Sequence, residues 1–236
     1  MTVTDFHHHL DLGNFEVLIN LRDELSESLL ISYDDVGKTA INKIADAAKV
    51  HQVPKELLTK KVLLAESAPE TWIDMNGEEE TEADSAIDCI IRRDQFSELP
   101  EELKIAKILM HPLLGGWRPI HTAACYGKLP QLPQKIITKE NLAKHNNFGT
   151  NCYHLAACNG YLSQIPSEFL TMEILLEKDK ENITVLELAF NKDQEQLLRL
   201  NLDERSRPII GDFLDIINQQ RNLPQQNEES PEIDLF

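Results

Sequence analysis

The apolar positions of this chain recur every 33 residues. Pro100, Pro133 and Pro166 mark the period, each with an apolar residue directly before it and a leucine nine residues after it. Pro54 has the same neighbours but lies 46 residues before Pro100, so an insertion of about 13 residues separates these two units. A further unit follows Pro166. Because repeats of this length are typical of solenoids, the pattern predicts five stacked helical units.

Each unit begins with the signature of a helix N-terminus. The residues directly before the predicted first helices are Thr39, Ser85, Arg118, Asn151 and Thr184. All but the arginine can accept a hydrogen bond from a backbone N–H of the first turn, and Pro119 suits the first helical position after that arginine. We expect the helix to end at a glycine in two units, Gly127 and Gly160. Thr138 and Thr171 predict that a second helical stretch starts after the proline.

Two units carry a longer motif. Residues 116–127 read Gly-Trp-Arg-Pro-Ile-His-Thr-Ala-Ala-Cys-Tyr-Gly, and residues 149–160 read Gly-Thr-Asn-Cys-Tyr-His-Leu-Ala-Ala-Cys-Asn-Gly. Both resemble the G-x-T-P-L-H-x-A-A-x-x-G core of the ankyrin repeat, whose period is also 33 residues. The fit is weaker in the other units, where Thr39-Ala-Ile-Asn42, Ser85-Ala-Ile-Asp88 and Thr184-Val-Leu-Glu187 replace the Thr-Pro-Leu-His tetrapeptide but keep its apolar third position. The resemblance implies an all-α, ankyrin-like helical solenoid, which is an interaction scaffold and specifies no reaction.

The period divides the chain into consecutive segments. They are an N-terminal helical cap (1–33), repeat 1 (34–65), an acidic insertion (66–82), a degenerate repeat 2 (83–112), repeat 3 (113–145), repeat 4 (146–178), repeat 5 (179–207), a capping helix (208–221) and a flexible acidic tail (222–236). Pro133 and Pro166 lie where the family begins an uninterrupted second helix. We therefore expect that helix to be broken or shifted.

Charge restricts the classes of partner. The chain has 40 acidic and 23 basic residues and a net charge of −17, which disfavours broad contact with nucleic acid or an anionic membrane. Thirteen acidic residues and two basic ones lie between Glu66 and Glu102, so −11 of the charge is concentrated there. The insertion either keeps the chain solvated or steers a basic partner. The steering candidates are Glu78, Glu79, Glu80 and Glu82.

Cysteine usage and the N-terminal sequence predict a cytoplasmic location. The start of the chain lacks a basic, apolar leader, and no stretch approaches the roughly 18 apolar residues of a membrane span. The four cysteines form no CxxC pair, so we expect reduced thiols that behave as small hydrophobic residues.

Candidate contact residues follow from the resemblance. Partner contacts of an ankyrin repeat lie on the loop tip before each unit and on the exposed side of its first helix, a surface called here the tip-and-helix face. In this chain the candidates are Trp117, Tyr126, Lys128, Asn147, Phe148, Asn159, Tyr161, Lys180 and Lys192. The aromatic members are of the kind that anchors interfaces. The alternative is that Phe148 and Tyr161 pack against a neighbouring repeat.

Two histidines raise the question of catalysis or zinc binding. His121 and His154 occupy the repeat position that Asn42, Asp88 and Glu187 fill in the other units, which favours hydrogen bonding to a neighbouring loop in all five. No phosphate-binding loop, hydrolase or zinc-peptidase signature is present. We expect no enzyme activity, cofactor or metal, and interpret the chain as a monomeric scaffold, adaptor or inhibitor. The alternative is an ankyrin-type effector or toxin-like protein with an unrecognised catalytic activity.

The last five residues suggest one more partner. They resemble the short peptide by which bacterial replication proteins dock on the sliding clamp, with a glutamate where that motif prefers glutamine. The residues are Glu232, Ile233, Asp234, Leu235 and Phe236. The alternative is a plain acidic tail.

Overall fold

The computed structural model describes residues 1–73 and 79–192 together with Gly211. Its α-helices are α1 (Val3–Asp11), α2 (Glu16–Asn20), α3 (Glu27–Leu30), α4 (Ala40–Asp46), α5 (Lys60–Leu63), α6 (Ala86–Arg92), α7 (Ala106–Leu109), α8 (Pro119–Cys125), α9 (Lys139–Leu142), α10 (Cys152–Asn159), α11 (Met172–Leu175) and α12 (Val185–Asn191). The described chain is mostly helical, as the sequence predicts. None of the helices described in it is long and apolar enough to cross a membrane.

The first helices of successive units stack in chain order. Helix α4 contacts α6, α6 contacts α8, α8 contacts α10, and α10 contacts α12, while α1 covers the outer side of α4. One side chain per unit, at the same position of the 33-residue pattern, is fully buried between these helices. These side chains are Ile41, Ile87, Ile120, Tyr153 and Leu186. The hydrophobic core therefore runs along the stack, and each unit buries its apolar side against its neighbours.

The predicted helix starts are confirmed. The side chains of Thr39, Ser85, Asn151 and Thr184 each accept a hydrogen bond from a backbone N–H of the first helical turn. In the remaining unit Pro119 opens the helix, and the backbone N–H of Arg118 donates to Nδ1 of His121 at 3.2 Å. The five first helices thus begin at equivalent points, which keeps the loop tips before them in line.

Proline breaks the second half of the first four units, as the sequence predicts for Pro133 and Pro166. Two short 3₁₀ turns flank each proline, because proline supplies no N–H for a continuous helix, and a one-turn α-helix follows them. The turns are Val50–Gln52, Lys55–Leu57, Phe96–Glu98, Glu101–Leu103, Leu129–Gln131, Gln134–Ile136, Leu162–Gln164 and Ser167–Phe169. The one-turn helices are α5, α7, α9 and α11.

The loop tips are compact turns that bond to one another. In three tips, one side-chain oxygen accepts hydrogen bonds from two backbone N–H groups of the same tip. The accepting residues are Asp34, Asn146 and Asp179. Neighbouring tips are joined by backbone hydrogen bonds, from Asn147 N–H to the Gly115 carbonyl at 2.7 Å and from Lys180 N–H to the Phe148 carbonyl at 3.3 Å. These bonds hold the tips as one continuous edge beside the first helices.

The insertion forms the only sheet among the described residues. Strands β1 (Glu70–Ile73) and β2 (Glu79–Glu82) pair antiparallel, with Trp72 opposite Glu80, and β2 contacts the 3₁₀ turn Leu114–Gly116 of the next tip. This hairpin is an exception to the all-α prediction. Its polar strands lack the alternation of apolar residues by which a strand is recognised.

Several predicted features lie outside the described residues. They are Glu78 of the acidic insertion, the end of repeat 5 from residue 193, the capping helix 208–221 apart from Gly211, and the tail 222–236 with its clamp-like end.

Two glycines at helix ends offer a matched test of the packing between units. Gly160 caps α10 with φ +84°, and Gly127 follows α8 with φ +68°. An added Cβ at Gly127 would lie 2.8 Å from the ring of Tyr161, whereas one at Gly160 would meet nothing within 4 Å. We expect Gly160→Ala to lower the free energy of unfolding by about 1 kcal/mol, and Gly127→Ala by at least about 1 kcal/mol more. Urea denaturation measures both, and equal losses would contradict the contact between Tyr161 and Gly127.

Candidate functional site

Three aromatic side chains of the tip-and-helix face meet around one cavity. Trp117 directly precedes the N-cap of α8, Tyr126 caps the C-terminus of the same helix, and Phe148 lies in the next tip. With Leu114 they line a cavity of about 250 Å³, called here the aromatic pocket. Its remaining lining residues are Ala83, Asp84, Asp88, Arg92, Gly115, Thr122 and Cys125. The structure thus brings three of the predicted contact residues into a single concave site.

A chain of hydrogen bonds fixes the indole of Trp117. Its Nε1–H donates to Oγ1 of Thr122 at 2.9 Å, and the Thr122 hydroxyl lies 2.6 Å from Oδ1 of Asp88. Because an indole N–H can only donate, Thr122 accepts from Trp117 and donates to Asp88. The indole also packs edge-on against the ring of His121, with 5.6 Å between the ring centroids. This wall of the aromatic pocket is therefore oriented before any partner arrives.

Asp88 is a buried carboxyl at the joint between α6 and α8. Its Oδ2 accepts from the hydroxyl of Ser85 at 2.5 Å, and only 4% of the residue is exposed. Burial raises the pKa of Asp88 to about 6, while the hydrogen bonds from Ser85 and Thr122 act in the opposite direction.

An arginine of the chain itself occupies one side of the aromatic pocket. The guanidinium of Arg92 donates to the carboxylate of Asp84 at 2.8 and 3.3 Å, and its Nη2 lies 3.6 Å from Oδ1 of Asp46. The same guanidinium lies 5.8 Å from the ring centroid of Tyr126. A second cavity of about 260 Å³ continues along the stack and shares Asp84, Arg92 and Tyr126 with the aromatic pocket. This surface therefore already binds a cation between carboxylates and an aromatic ring.

Acidic residues border the aromatic pocket on the side of the insertion. Oε2 of Glu66 accepts the backbone N–H of Leu114 at 3.2 Å. Strand β2, with the predicted steering residues Glu79, Glu80 and Glu82, contacts the tip that carries Leu114. The acidic insertion is thus adjacent to the aromatic pocket.

The other predicted contact residues lie outside the aromatic pocket. Tyr161, 36% exposed, packs against Gly127 of the preceding unit, in line with the alternative that it stabilises the stack. Lys128 pairs with Asp94 at 2.6 Å. The side-chain amide of Asn159 donates to the Leu155 carbonyl. The remaining candidates are exposed residues, namely Asn147, Lys180 and Lys192.

The 33-residue pattern contains a signal for two pocket residues that are absent from the predicted contact residues. Asp84 precedes Trp117 by 33 residues, and Arg92 precedes Cys125 by the same interval. Both therefore hold tip-and-helix positions of the degenerate unit, whose motif is weak. Leu114 had no such signal, because only the folded tip shows that it lines the same cavity as Trp117.

The shared histidine position has two different roles, which corrects a prediction. Asn42, His121 and His154 bond to a backbone carbonyl of the neighbouring loop, as predicted. The two acidic residues differ, because a carboxylate cannot donate a hydrogen bond to a carbonyl. Asp88 accepts hydrogen bonds from two hydroxyl groups, and Glu187 accepts one from the backbone N–H of Thr184, which completes the capping box of its own helix. Within the described ranges, no group of three or more His, Cys, Asp or Glu residues is placed to bind a metal ion.

Burial lowers the pKa of His121 to about 4. Nδ1 accepts the N–H of Arg118, so Nε2 carries the proton and donates to the Lys144 carbonyl at 2.7 Å. The neutral ring is thus committed to both of its hydrogen bonds. The ring of His121 therefore connects two units, and neither of its nitrogens is available to bind a metal ion or to transfer a proton.

Comparisons with known proteins relate the fold of this chain to solved structures. No protein family and no curated protein sequence matches the chain. One solved structure contains the predatory endopeptidase Bd0816 from Bdellovibrio bacteriovorus in complex with the immunity protein Bd3460. A chain of that complex superposes with a TM-score of 0.52 at 20% identity, over 81% of this chain and 92% of that chain. The two chains share a fold. At this identity the likeness extends to the fold alone.

Proposed function

We propose that this chain is an ankyrin-like module that binds and sequesters a partner protein, as an inhibitor or adaptor, and that it has no catalytic activity of its own. The observation that carries the proposal is the aromatic pocket. Partly exposed aromatic side chains that converge in a concave, preformed site are typical of the anchors that dominate protein interfaces. Tyr126 is 42% exposed, although a large aromatic side chain normally contributes most when it is buried.

Repeat chemistry supports the ankyrin assignment. Residues 116–127 and 149–160 carry the motif, and α4, α6, α8, α10 and α12 stack in chain order at the predicted period. In such an array the tips and the exposed sides of the first helices are free to vary, because inter-unit packing uses the buried sides.

The solved relative supports the inhibitory form of the proposal. The complex in which this fold occurs pairs an endopeptidase with an immunity protein. A role in which the chain occupies a surface of a partner needs a rigid face. The bonded tips and the fixed indole of Trp117 provide one.

We also propose that the acidic insertion steers a basic partner toward the aromatic pocket and that the chain works in the cytoplasm. Steering is supported by the contact of β2 with the tip of Leu114. A reducing compartment is supported by Cys89 and Cys152, which are buried as small hydrophobic residues.

Replacing Trp117 and Tyr126 together with alanine is expected to weaken partner binding by about 2 kcal/mol or more, which is roughly 30-fold, mainly through faster dissociation. Affinity purification and mass spectrometry identify the partner, and surface plasmon resonance with that purified partner gives the rates. Leu12→Ala is the control, because Leu12 is 69% exposed and lies in the N-terminal helical cap, away from the aromatic pocket. An unchanged dissociation rate in a folded double variant would move the interface away from the aromatic pocket.

A further inference from the structure

Three features of the aromatic pocket select the chemistry of what enters it. Its walls are aromatic, its rim is acidic, and the side chain of Asp84 at its edge is 42% exposed. In the sequence of the neighbouring acidic insertion, residues 70–82 include six acidic residues and no basic one. An apolar side chain would need only the walls, whereas a cation would use the walls and the rim together.

The chain itself demonstrates how a cation is held here. Arg92 combines a two-bond pairing with Asp84, a second carboxylate at 3.6 Å and an aromatic ring at 5.8 Å. Tyr126 and Asp84 line both cavities, so each faces the aromatic pocket as well as Arg92. On the side of the aromatic pocket, Trp117 and Phe148 face a space that Arg92 does not fill.

We infer that the aromatic pocket receives an arginine side chain of the partner protein, an inference that rests on the proposed function. The guanidinium stacks against Trp117 or Tyr126 and bonds to the exposed carboxylate of Asp84, next to the charge of Glu66. Local charge favours this occupant. The local cations are Arg92, Arg93 and Lys38, whose ammonium lies 3.9 Å from Asp46. The carboxylates outnumber them even without Asp88, since they are Asp46, Glu66, Asp84 and Glu70.

Arginine fits better than lysine for two physical reasons. A guanidinium is planar, so it can lie on an aromatic ring and still donate in its plane to a carboxylate. It is also more weakly hydrated than an ammonium, so less free energy is lost when it leaves water for a cavity of about 250 Å³.

The test uses short peptides and the full chain, and it needs no natural partner. The peptide N-acetyl-Gly-Arg-Gly-amide is compared with peptides that carry lysine, leucine or citrulline at the central position. Citrulline has the shape of arginine without its charge. Two-dimensional ¹⁵N NMR follows the indole N–H of Trp117, assigned with Trp117→Phe, at low salt. We expect the arginine peptide to bind about five-fold more tightly than the citrulline peptide, and salt to reduce that difference.

Two variants sharpen the test. Arg92→Gln leaves Asp84 without its cation, so the arginine peptide should bind several-fold more tightly while the citrulline peptide is unaffected. Glu66→Gln keeps an oxygen for the Leu114 N–H but removes a charge, and should weaken only the binding of cationic peptides. Leu12→Ala is the control, and far-UV circular dichroism melts establish that each variant is folded.

The outcomes separate this inference from the proposed function. Equal affinity for citrulline or leucine peptides would show that the aromatic pocket takes uncharged side chains, which overturns the arginine inference and leaves the docking site intact. No perturbation of the Trp117 indole by any peptide would also overturn it. Failure of the proposed function itself would appear in the surface plasmon experiment, as unchanged partner binding after Trp117 and Tyr126 are replaced.

Discussion

Replacing Ile120 with aspartate is expected to unfold most of the repeat stack. Ile120 is fully buried in α8, which packs against both α6 and α10, so a charge there has no route to water. Burying an unpaired carboxylate costs several kcal/mol, against a total stability of about 5 to 15 kcal/mol for a typical domain. Leu175→Asp, in α11, should have a similar effect because Leu175 is also fully buried. Circular dichroism melts measure both.

Ile19→Asp is the matched control for this experiment. Ile19 lies in α2 and is 62% exposed, so the same substitution should change the free energy of unfolding by no more than about 0.5 kcal/mol. If Ile120→Asp melted at the same temperature as the unmodified chain, this would contradict the repeat boundaries that the 33-residue pattern predicts.

Acid stability is expected to depend on two buried groups that act in opposite directions. The pKa of His121 falls from 6.5 to about 4 on folding, so the unfolded chain binds the proton first and stability is lost as pH falls between these values. The loss is about 3 kcal/mol at pH 4. Burial also lowers the pKa of His154 and His7, which adds to it. The pKa of Asp88 rises from 3.8 to about 6, so this group recovers about 2 kcal/mol over the same range.

Two substitutions separate these contributions. Asp88→Asn keeps an oxygen for Thr122 and places an N–H toward Ser85, but it cannot take up a proton. Its stability should fall between pH 7 and pH 4 by about 2 kcal/mol more than that of the unmodified chain. His121→Asn, which copies the residue at Asn42, should show about 3 kcal/mol less loss. Urea denaturation at pH 4, 5, 6 and 7 measures these slopes, and identical slopes in all three proteins would contradict the burial of both groups.

Much of the stack could be predicted from the sequence because its signals are local and repeated. The N-cap side chains bond to backbone N–H groups no more than three residues away, so the local sequence alone locates the helix starts. These caps are Thr39, Ser85, Asn151 and Thr184. The prolines break the second helices for an equally local reason, the missing N–H. Burial of one apolar residue per period follows from stacking identical units.

The aromatic pocket depends on contacts that no local signal contains. Its walls come from two tips and one helix, and Arg92 and Asp84 join it from a unit whose motif has largely been lost. The polar pattern of the insertion gave no indication of strands β1 and β2. The sequence shows that Asp88 replaces histidine at this repeat position. It does not show that Asp88 accepts a hydrogen bond from the Thr122 hydroxyl, because Thr122 lies 34 residues away along the chain.

Hydrogen exchange of the complex tests the central claim most directly, namely that the partner binds at the aromatic pocket. The chain and its purified partner are exchanged together and separately, and peptide masses locate the amides that become protected. We predict protection in residues 113–126 and 146–149, which contain Trp117, Tyr126 and Phe148, with no change in α9 and α11. Protection confined to α9 and α11, with the residues of the aromatic pocket exchanging as in the free chain, would contradict it.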